Sequence, residues 1–153
     1  MCGIGRADIQ YSVSSLSRFS ADPRSGQLDK VVRMCSYLKD FPDREIVIDH
    51  RDIPMLKNIS DPEDLTDQYP DAGEELEKEF PEALGPPLQT SVFFDSDHGH
   101  DQKTRRSCTG LVVMVGRTPV SWSTKRQTAI QTSSYGAEFM AGRSACQEAI
   151  SIR

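Results

Sequence analysis

The sequence predicts an α/β fold in which a helical segment leads into strand, strand, strand and helix. Apolar residues recur at helical spacing in the first part of the chain. Three apolar stretches separated by turn signals follow in the last part. The closing run, SSYGAEFMAGRSACQEAI, is helix-forming and opens on serines suited to N-capping.

The first region runs from about Ala7 to Arg51. Ile9, Val13 and Leu16 mark one helix in DIQYSVSSLSRF. Leu28, Val31, Val32, Cys35 and Leu38 form an apolar stripe along a second, QLDKVVRMCSYLKDF. Asp22-Pro23 is its start or turn signal and Phe41-Pro42-Asp43 its stop. Ile46-Val47-Ile48 is a short strand candidate. Residues 1–51 thus form one unit and residues 52–87 a linker or insertion. The linker is heavily acidic, broken by prolines and without sustained apolar periodicity. Its carboxylates could also compete with nucleic acid for a basic groove.

Residues 88–153 carry the remaining elements. TSVFFD, CTGLVVMVG and TPVSW read as strands, with Gly116-Arg117-Thr118 short enough to close a hairpin between the last two. Ser133 or Ser134 is the candidate cap of the final helix.

Composition bounds the function only loosely. The chain has 153 residues, enough for one domain with a core, and a net charge of −5. That charge gives no global pull toward nucleic acid and leaves only a local patch to do so. Cys2, Cys35, Cys108 and Cys146 show no zinc spacing and read as reduced, partly buried thiols, with Cys108 and Cys146 in or near the core. MCGIGRADIQ has no signal-peptide character, and no run approaches the roughly 20 apolar residues of a membrane span. The expected setting is intracellular, cytoplasmic or nuclear, with no membrane partner.

The chemistry centres on SVFFDSDHGHD. Asp95 ends a strand and Asp97 follows one residue later. Glu138 lies early in the last helix, and Ala141, Ala145 and Ala149 follow it at i+3, i+7 and i+11. A face of such small residues can approach a sheet closely and bring the carboxylate over a strand end. The helix N-terminus favours an ionised Glu138. Two carboxylates brought together repel, and Mg²⁺ relieves that repulsion. The competing reading is an exposed helix glutamate beside a solvated turn. His98 and His100 read as turn residues, with a substrate contact left open. Lys103, Arg105, Arg106, Lys125 and Arg126 form a basic cluster flanking the hairpin. It could neutralise phosphates, or Arg105 and Arg106 could pair with acids such as Asp101. Trp122, at an alternating strand position, reads as a packed ring.

Three stretches resemble the copia-type LTR retrotransposon polyprotein. RADIQYSVSSLSRFSADPRSGQLDKVVRMCSYLKDFPD is similar to the end of its reverse transcriptase region, where an R-x-D-I-x-Y-A-x-S-x-x-S-R-F run precedes a helix ending in Y-L-K. VFFDSDHGHDQKTRRSCTGLVVMVGRTPVSWSTKRQT resembles the first RNase H strand with its D-A-D motif, the R-R-S-x-T-G stretch and the S-W-x-S-K-x-Q hairpin end. QTSSYGAEFMA is similar to the helix start S-S-T-E-A-E-Y.

The resemblance implies an incomplete RNase H-like mixed sheet after a reverse transcriptase C-terminal segment. It implies Mg²⁺-dependent cleavage of RNA in an RNA/DNA hybrid, with two ions in the complete domain. Asp95 matches the first catalytic aspartate and metal ligand, and Glu138 the catalytic glutamate and second ligand. Asp97 matches the second aspartate of the D-A-D motif, which either assists the metals or merely sits beside them; Arg105, Arg106, Lys125 and Arg126 are the candidate nucleic-acid contacts. Gly136 stands where the family often has another glutamate. The family uses four carboxylates, and the two later ones match nothing in this sequence. The expectation is therefore a fragment, marginally stable and inactive alone, whose partners are the hybrid and the rest of the polyprotein. The alternative is a non-catalytic nucleic-acid-binding remnant or domesticated interaction module, or a relic with no selected activity.

Overall fold

A computed structural model describes residues 5–56, 68, 70, 79–82, 84–101 and 103–152. Strand β2 (Cys108–Val115) is the centre of a three-stranded antiparallel sheet, between β1 (Thr90–Asp97) and β3 (Thr118–Arg126). Its CTGLVVMV sequence is nearly all apolar or small, as a strand covered on both faces should be. Phe94 pairs with Leu111 and Leu111 with Ser123, so these three share one face. Asp95, Gly110 and Thr124 line the other.

Helix α3 (Ser134–Ile152) covers the first face. Ser133 caps it, its Oγ accepting from the Gly136 N–H at 3.1 Å. Ala137, Ala141 and Ala145 are its buried residues, set against a sheet whose Leu111 and Val113 are buried. Small side chains at i, i+4 and i+8 let the helix lie close to the strands. The seam keeps the expected Ala141 and Ala145, but it begins at Ala137 rather than bringing in Glu138. Glu138 stands on the flank of the helix, in the same stripe as Gly142. A Cβ on Gly142 would come within 3.3 Å of the Phe94 ring, so this flank faces β1. Gln127 ties the layers: its Nε2 donates to Thr109 Oγ1 at 3.0 Å and to the Ala137 carbonyl at 2.9 Å.

Helix α1 (Gln10–Ser17) follows a 3₁₀ turn over Ala7–Ile9 and packs on the second face. Ile9 is buried there, and Ser14 Oγ donates to the Thr124 carbonyl at 3.1 Å. Helix α2 (Ser25–Asp40) lies beside α1 and stops before Phe41-Pro42 as expected. Its apolar stripe is not core: no residue of α2 is buried, and Leu28 and Val32 are more than half exposed.

Two expectations are corrected. Ile46-Val47-Ile48 forms no strand, and Val47 and Ile48 are exposed. The segment is held only just beyond, where Arg117 N–H donates to the Asp49 carbonyl and Asp49 N–H to Thr118 Oγ1. A single anchor provides no ladder for the three residues before it. The described sheet is also purely antiparallel, so its mixed character would need a strand that is not among the described residues. Most of the linker, residues 52–87, lies outside the described residues. Within it Pro54–Leu56 forms a 3₁₀ turn.

The hairpin closes at Gly116-Arg117, with Val115 paired to Thr118. Gly116 has φ +56°, and a Cβ there would sit 2.7 Å from the His50 carbonyl carbon. Gly116→Ala should therefore destabilise by about 1–2 kcal/mol from the left-handed backbone alone, with displacement of Asp49–His50 added. Chemical denaturation compared with wild type would read this, and an unchanged midpoint would refute it.

Candidate functional site at the end of the first strand

The acids of SVFFDSDHGHD have three different environments. Asp95 is exposed on the α1 face of β1, bordering a cleft of about 310 Å³ walled by Gln10, Phe93, Val112 and Trp122. Gly110 is its cross-strand neighbour, and a Cβ there would meet nothing within 4 Å. The cleft is open beside the carboxylate because this central-strand position carries no side chain. A strand glycine is unfavourable by roughly 0.5–1 kcal/mol relative to alanine. Gly110→Ala should thus stabilise the chain by about that amount, and a lower melting temperature would show that the space is not free.

Asp97, on the same face, is held by His100, whose Nδ1 lies 2.5 Å from its Oδ2. The other ring nitrogen, Nε2, is 2.6 Å from Tyr11 Oη on α1. With Nδ1–H donating to the carboxylate, Nε2 is free to accept the phenol proton. Burial pushes the Tyr11 phenol above its ordinary pKa, so the chain of contacts holds a neutral tyrosine. His98 is exposed. His100 is thus more than a turn residue, although its partner lies 89 positions away and no local signal could have marked it.

Asp101 is the anchor of the β1–β2 loop. Its Oδ2 accepts from Arg126 Nη1 at 2.6 Å and lies 4.0 Å from Arg18 of α1. Its Oδ1 accepts the N–H groups of Lys103 and Thr104 at 3.0 and 3.2 Å. The Arg126 guanidinium, and then the backbone N–H of Thr104, hold its carboxyl well below the usual carboxylate range. Arg105 adopts φ +57°, with its N–H donating to the Asp101 carbonyl at 2.6 Å.

The basic residues do not form one patch. Arg126 is committed to Asp101. Arg105 and Arg106 make no ion pair with Asp101, so that suggested pairing is not formed. Arg106 is half-buried and its Nε meets no acceptor among the described residues, while Arg105 and Lys103 are exposed. Lys125 is exposed and alternates onto the α3 side, away from Arg126. Trp122 is half-buried over the Asp95 cleft. Cys108 is buried, which raises its thiol pKa. Cys146, expected in or near the core, is exposed because it follows Ala145 out of the helix seam.

Asp95 and Glu138 approach β1 from different sides. Strand alternation turns Asp95 toward α1, whereas Glu138 belongs to α3 on the opposite face. β1 is an edge strand, so both carboxylates stand near the same open border. Among the described residues no three His, Cys, Asp or Glu side chains gather into a metal-binding group. Mg²⁺ needs six near-octahedral oxygen positions. Asp95 and Glu138 supply only part of such a ligand set, and the described residues bring no third acid to it. No described helix is long and apolar enough to cross a membrane.

No protein-family model matches the chain, and no solved structure does. Similarity to curated proteins is found among transposon proteins. The chain is 27 % identical over 134 residues to the retrovirus-related Pol polyprotein from transposon RE1 of Arabidopsis thaliana, covering 88 % of this chain and 7 % of that protein. It is 27 % identical over 122 residues to a transposon Ty5-1 protein of Saccharomyces cerevisiae, covering 80 % of this chain and 29 % of the relative. The RE2 Pol polyprotein of Arabidopsis thaliana matches at 25 % over 134 residues, again 7 % of its length. These similarities relate the chain to retrotransposon Pol polyproteins, of which it spans a small part.

Proposed function

We propose that the chain is a portion of a copia-type retrotransposon Pol polyprotein, from the end of the reverse transcriptase region into the RNase H domain. The whole domain would hydrolyse the RNA strand of RNA/DNA hybrids with Mg²⁺. The supporting observation is one of order. D-S-D ends β1, the T-G-L stretch lies in β2, S-W lies in β3, and Glu138 follows early in α3. The similarity to Pol polyproteins runs over 88 % of the same chain.

On this reading Asp95 and Glu138 are the first two carboxylates of the metal centre, and Asp97 assists. Asp97 is already engaged by His100, which leaves Asp95 as the freer acid of the strand. Arg105 and Lys103, exposed beside the loop, are the better candidates for phosphate contact, since Arg126 is neutralised by Asp101. The two later carboxylates that the resemblance calls for match nothing in this sequence, so the chain alone should not cleave a hybrid.

The test compares two proteins. A longer polyprotein segment containing this sequence should cleave a labelled RNA/DNA hybrid in Mg²⁺. Asp95→Asn or Glu138→Gln should lower its rate roughly a hundredfold or more, the scale of losing a group that stabilises the transition state. The 153-residue chain should show no cleavage. Full activity of the Asp95→Asn segment would sink the assignment. Cleavage by the short chain, abolished by that substitution, would overturn its expected inactivity.

The exposure of Arg105 and Lys103 also supports a second reading, a non-catalytic nucleic-acid-binding module. Binding that survives EDTA and Glu138→Gln, yet falls with salt and with Arg105→Ala/Arg106→Ala, would favour it.

A further inference from the structure

A pocket of about 470 Å³ opens between α1 and α2, with His100 of the β1–β2 loop at the end nearest Asp97. Lys30, Arg33 and Tyr37 line it from α2 at i, i+3 and i+7, one helix face. Neither cation makes an ion pair among the described residues, and both are exposed. The one acid on the wall, Asp8, is already satisfied. Its carboxylate accepts from Arg6 at 2.9 and 3.0 Å and from Tyr37 Oη at 2.8 Å. Those bonds, the Arg6 one first, lower its pKa to about 2, so it stays a paired anion. In a chain of net charge −5 the pocket is therefore a local cationic site.

Its remaining lining narrows the ligand. Both phenol oxygens are committed, Tyr37 to Asp8 and Tyr11 to His100, and the Tyr37 ring also packs on Phe41, which leaves the exposed part of the Tyr11 ring as the aromatic surface. Tyr11 is 45 % exposed, so its ring can be covered by a flat partner. Ser12 and Ser15, one turn apart on α1, place on the same wall hydroxyls that make no hydrogen bond among the described residues. Cations, hydroxyls and aromatic rings in one concavity suit an anion attached to a planar base.

We infer that this α1–α2 pocket binds a nucleotide, its phosphate on Lys30 and Arg33 and its base against the Tyr11 ring, either free or as a unit of a polynucleotide. The inference does not rest on the metal centre. Apart from His100 its lining belongs to the N-terminal helical segment, and it would stand if Asp95 and Glu138 had no catalytic part.

The experiment is an amide NMR titration of the full chain with AMP, adenosine, inorganic phosphate and a short single-stranded oligonucleotide. AMP should shift amides of α1 and α2 around the pocket, with adenosine and phosphate each about tenfold weaker, as expected when each lacks one of two contacts. Lys30→Glu/Arg33→Glu should weaken AMP about tenfold or more, while Arg143→Ala, at an exposed position on α3, leaves it unchanged. Both residues are exposed, so the fold should persist. Lys30→Gln/Arg33→Gln serves if the charge reversal unfolds the chain. Tighter oligonucleotide binding, with a salt slope reduced by about 1 per cation removed, assigns the site to a polynucleotide unit. Equal or weaker oligonucleotide binding assigns it to the free nucleotide. No shifts, shifts unaffected by both double variants at Lys30 and Arg33, or phosphate binding as tightly as AMP would each overturn the inference.

Discussion

Ala141→Leu is expected to unfold the chain or leave it molten. Ala141 has no exposed surface and lies in the middle of the α3 seam, between Ala137 and Ala145. The helix sits at the distance that methyl side chains set. Three added carbons must either push α3 off the sheet or force neighbouring side chains from their rotamers. Such overpacking costs about 1–3 kcal/mol. The loss matters because the core is small. Its buried hydrophobic residues among those described are Ile9, Cys108, Leu111, Val113 and the three alanines. Large apolar groups such as Phe94 and Phe139 remain partly or mostly exposed. A chain with so few fully buried side chains has little stability to lose. Phe139→Ser provides the control. Phe139 is 64 % exposed, and its replacement should shift stability by less than about 0.5 kcal/mol. Near-ultraviolet circular dichroism and thermal melts of the two variants decide the matter. A cooperative, wild-type-like melt for Ala141→Leu would mean that the seam is looser than the alanine contacts indicate.

The same seam shows what was legible in the sequence and what was not. The strands and their hairpin were visible because apolar runs are bounded by turn signals, and Gly116 supplies the positive φ that the hairpin requires. The helix was visible, but not its rotation. Gly136, Ala137, Ala141, Gly142, Ala145 and Ala149 offer small residues on more than one stripe, so spacing alone could not choose the buried one. Ala141 and Ala145 are buried as the spacing predicts, but Ala137 takes the place at the head of the seam and Glu138 falls on its β1 flank. The α2 stripe was read correctly as a pattern, yet periodicity cannot say whether another element covers it. Ile46-Val47-Ile48 failed for a related reason, since a strand exists only where a partner accepts its ladder. The long-range polar contacts of His100 and Asp101 follow from how α1 and β3 meet the β1–β2 loop. Nothing in SVFFDSDHGHD itself encodes Tyr11 or Arg126 as partners.

Asp101→Asn should both lower stability at neutral pH and flatten its decline in acid. The Asp101 carboxylate connects three parts of the chain: its own loop through two backbone N–H groups, β3 through Arg126, and α1 through the more distant Arg18. Its side chain is only 14 % exposed, so these partners are not readily replaced by water. Asparagine keeps an oxygen for the backbone N–H groups but presents no charge to either arginine. Hydrogen bonds to a charged group contribute about 1.5–3 kcal/mol, and a loss toward the lower end is expected because Arg126 can still reach solvent. The pH dependence follows from the direction of the shift. The folded-state carboxyl lies below its ordinary value, so the unfolded chain binds the proton first on acidification. The stabilisation is complete above the ordinary aspartate pKa of about 4 and is lost as pH falls below it toward the folded value. Asp8 and Asp49 are lowered by the same kind of arginine contact, from Arg6 and Arg51, and contribute to the same acid limb. Urea midpoints measured between neutral pH and about pH 3 should therefore fall for wild type and fall less steeply for Asp101→Asn. Parallel curves would mean that Arg126 does not hold the carboxylate in solution, and the β1–β2 loop would then need another anchor.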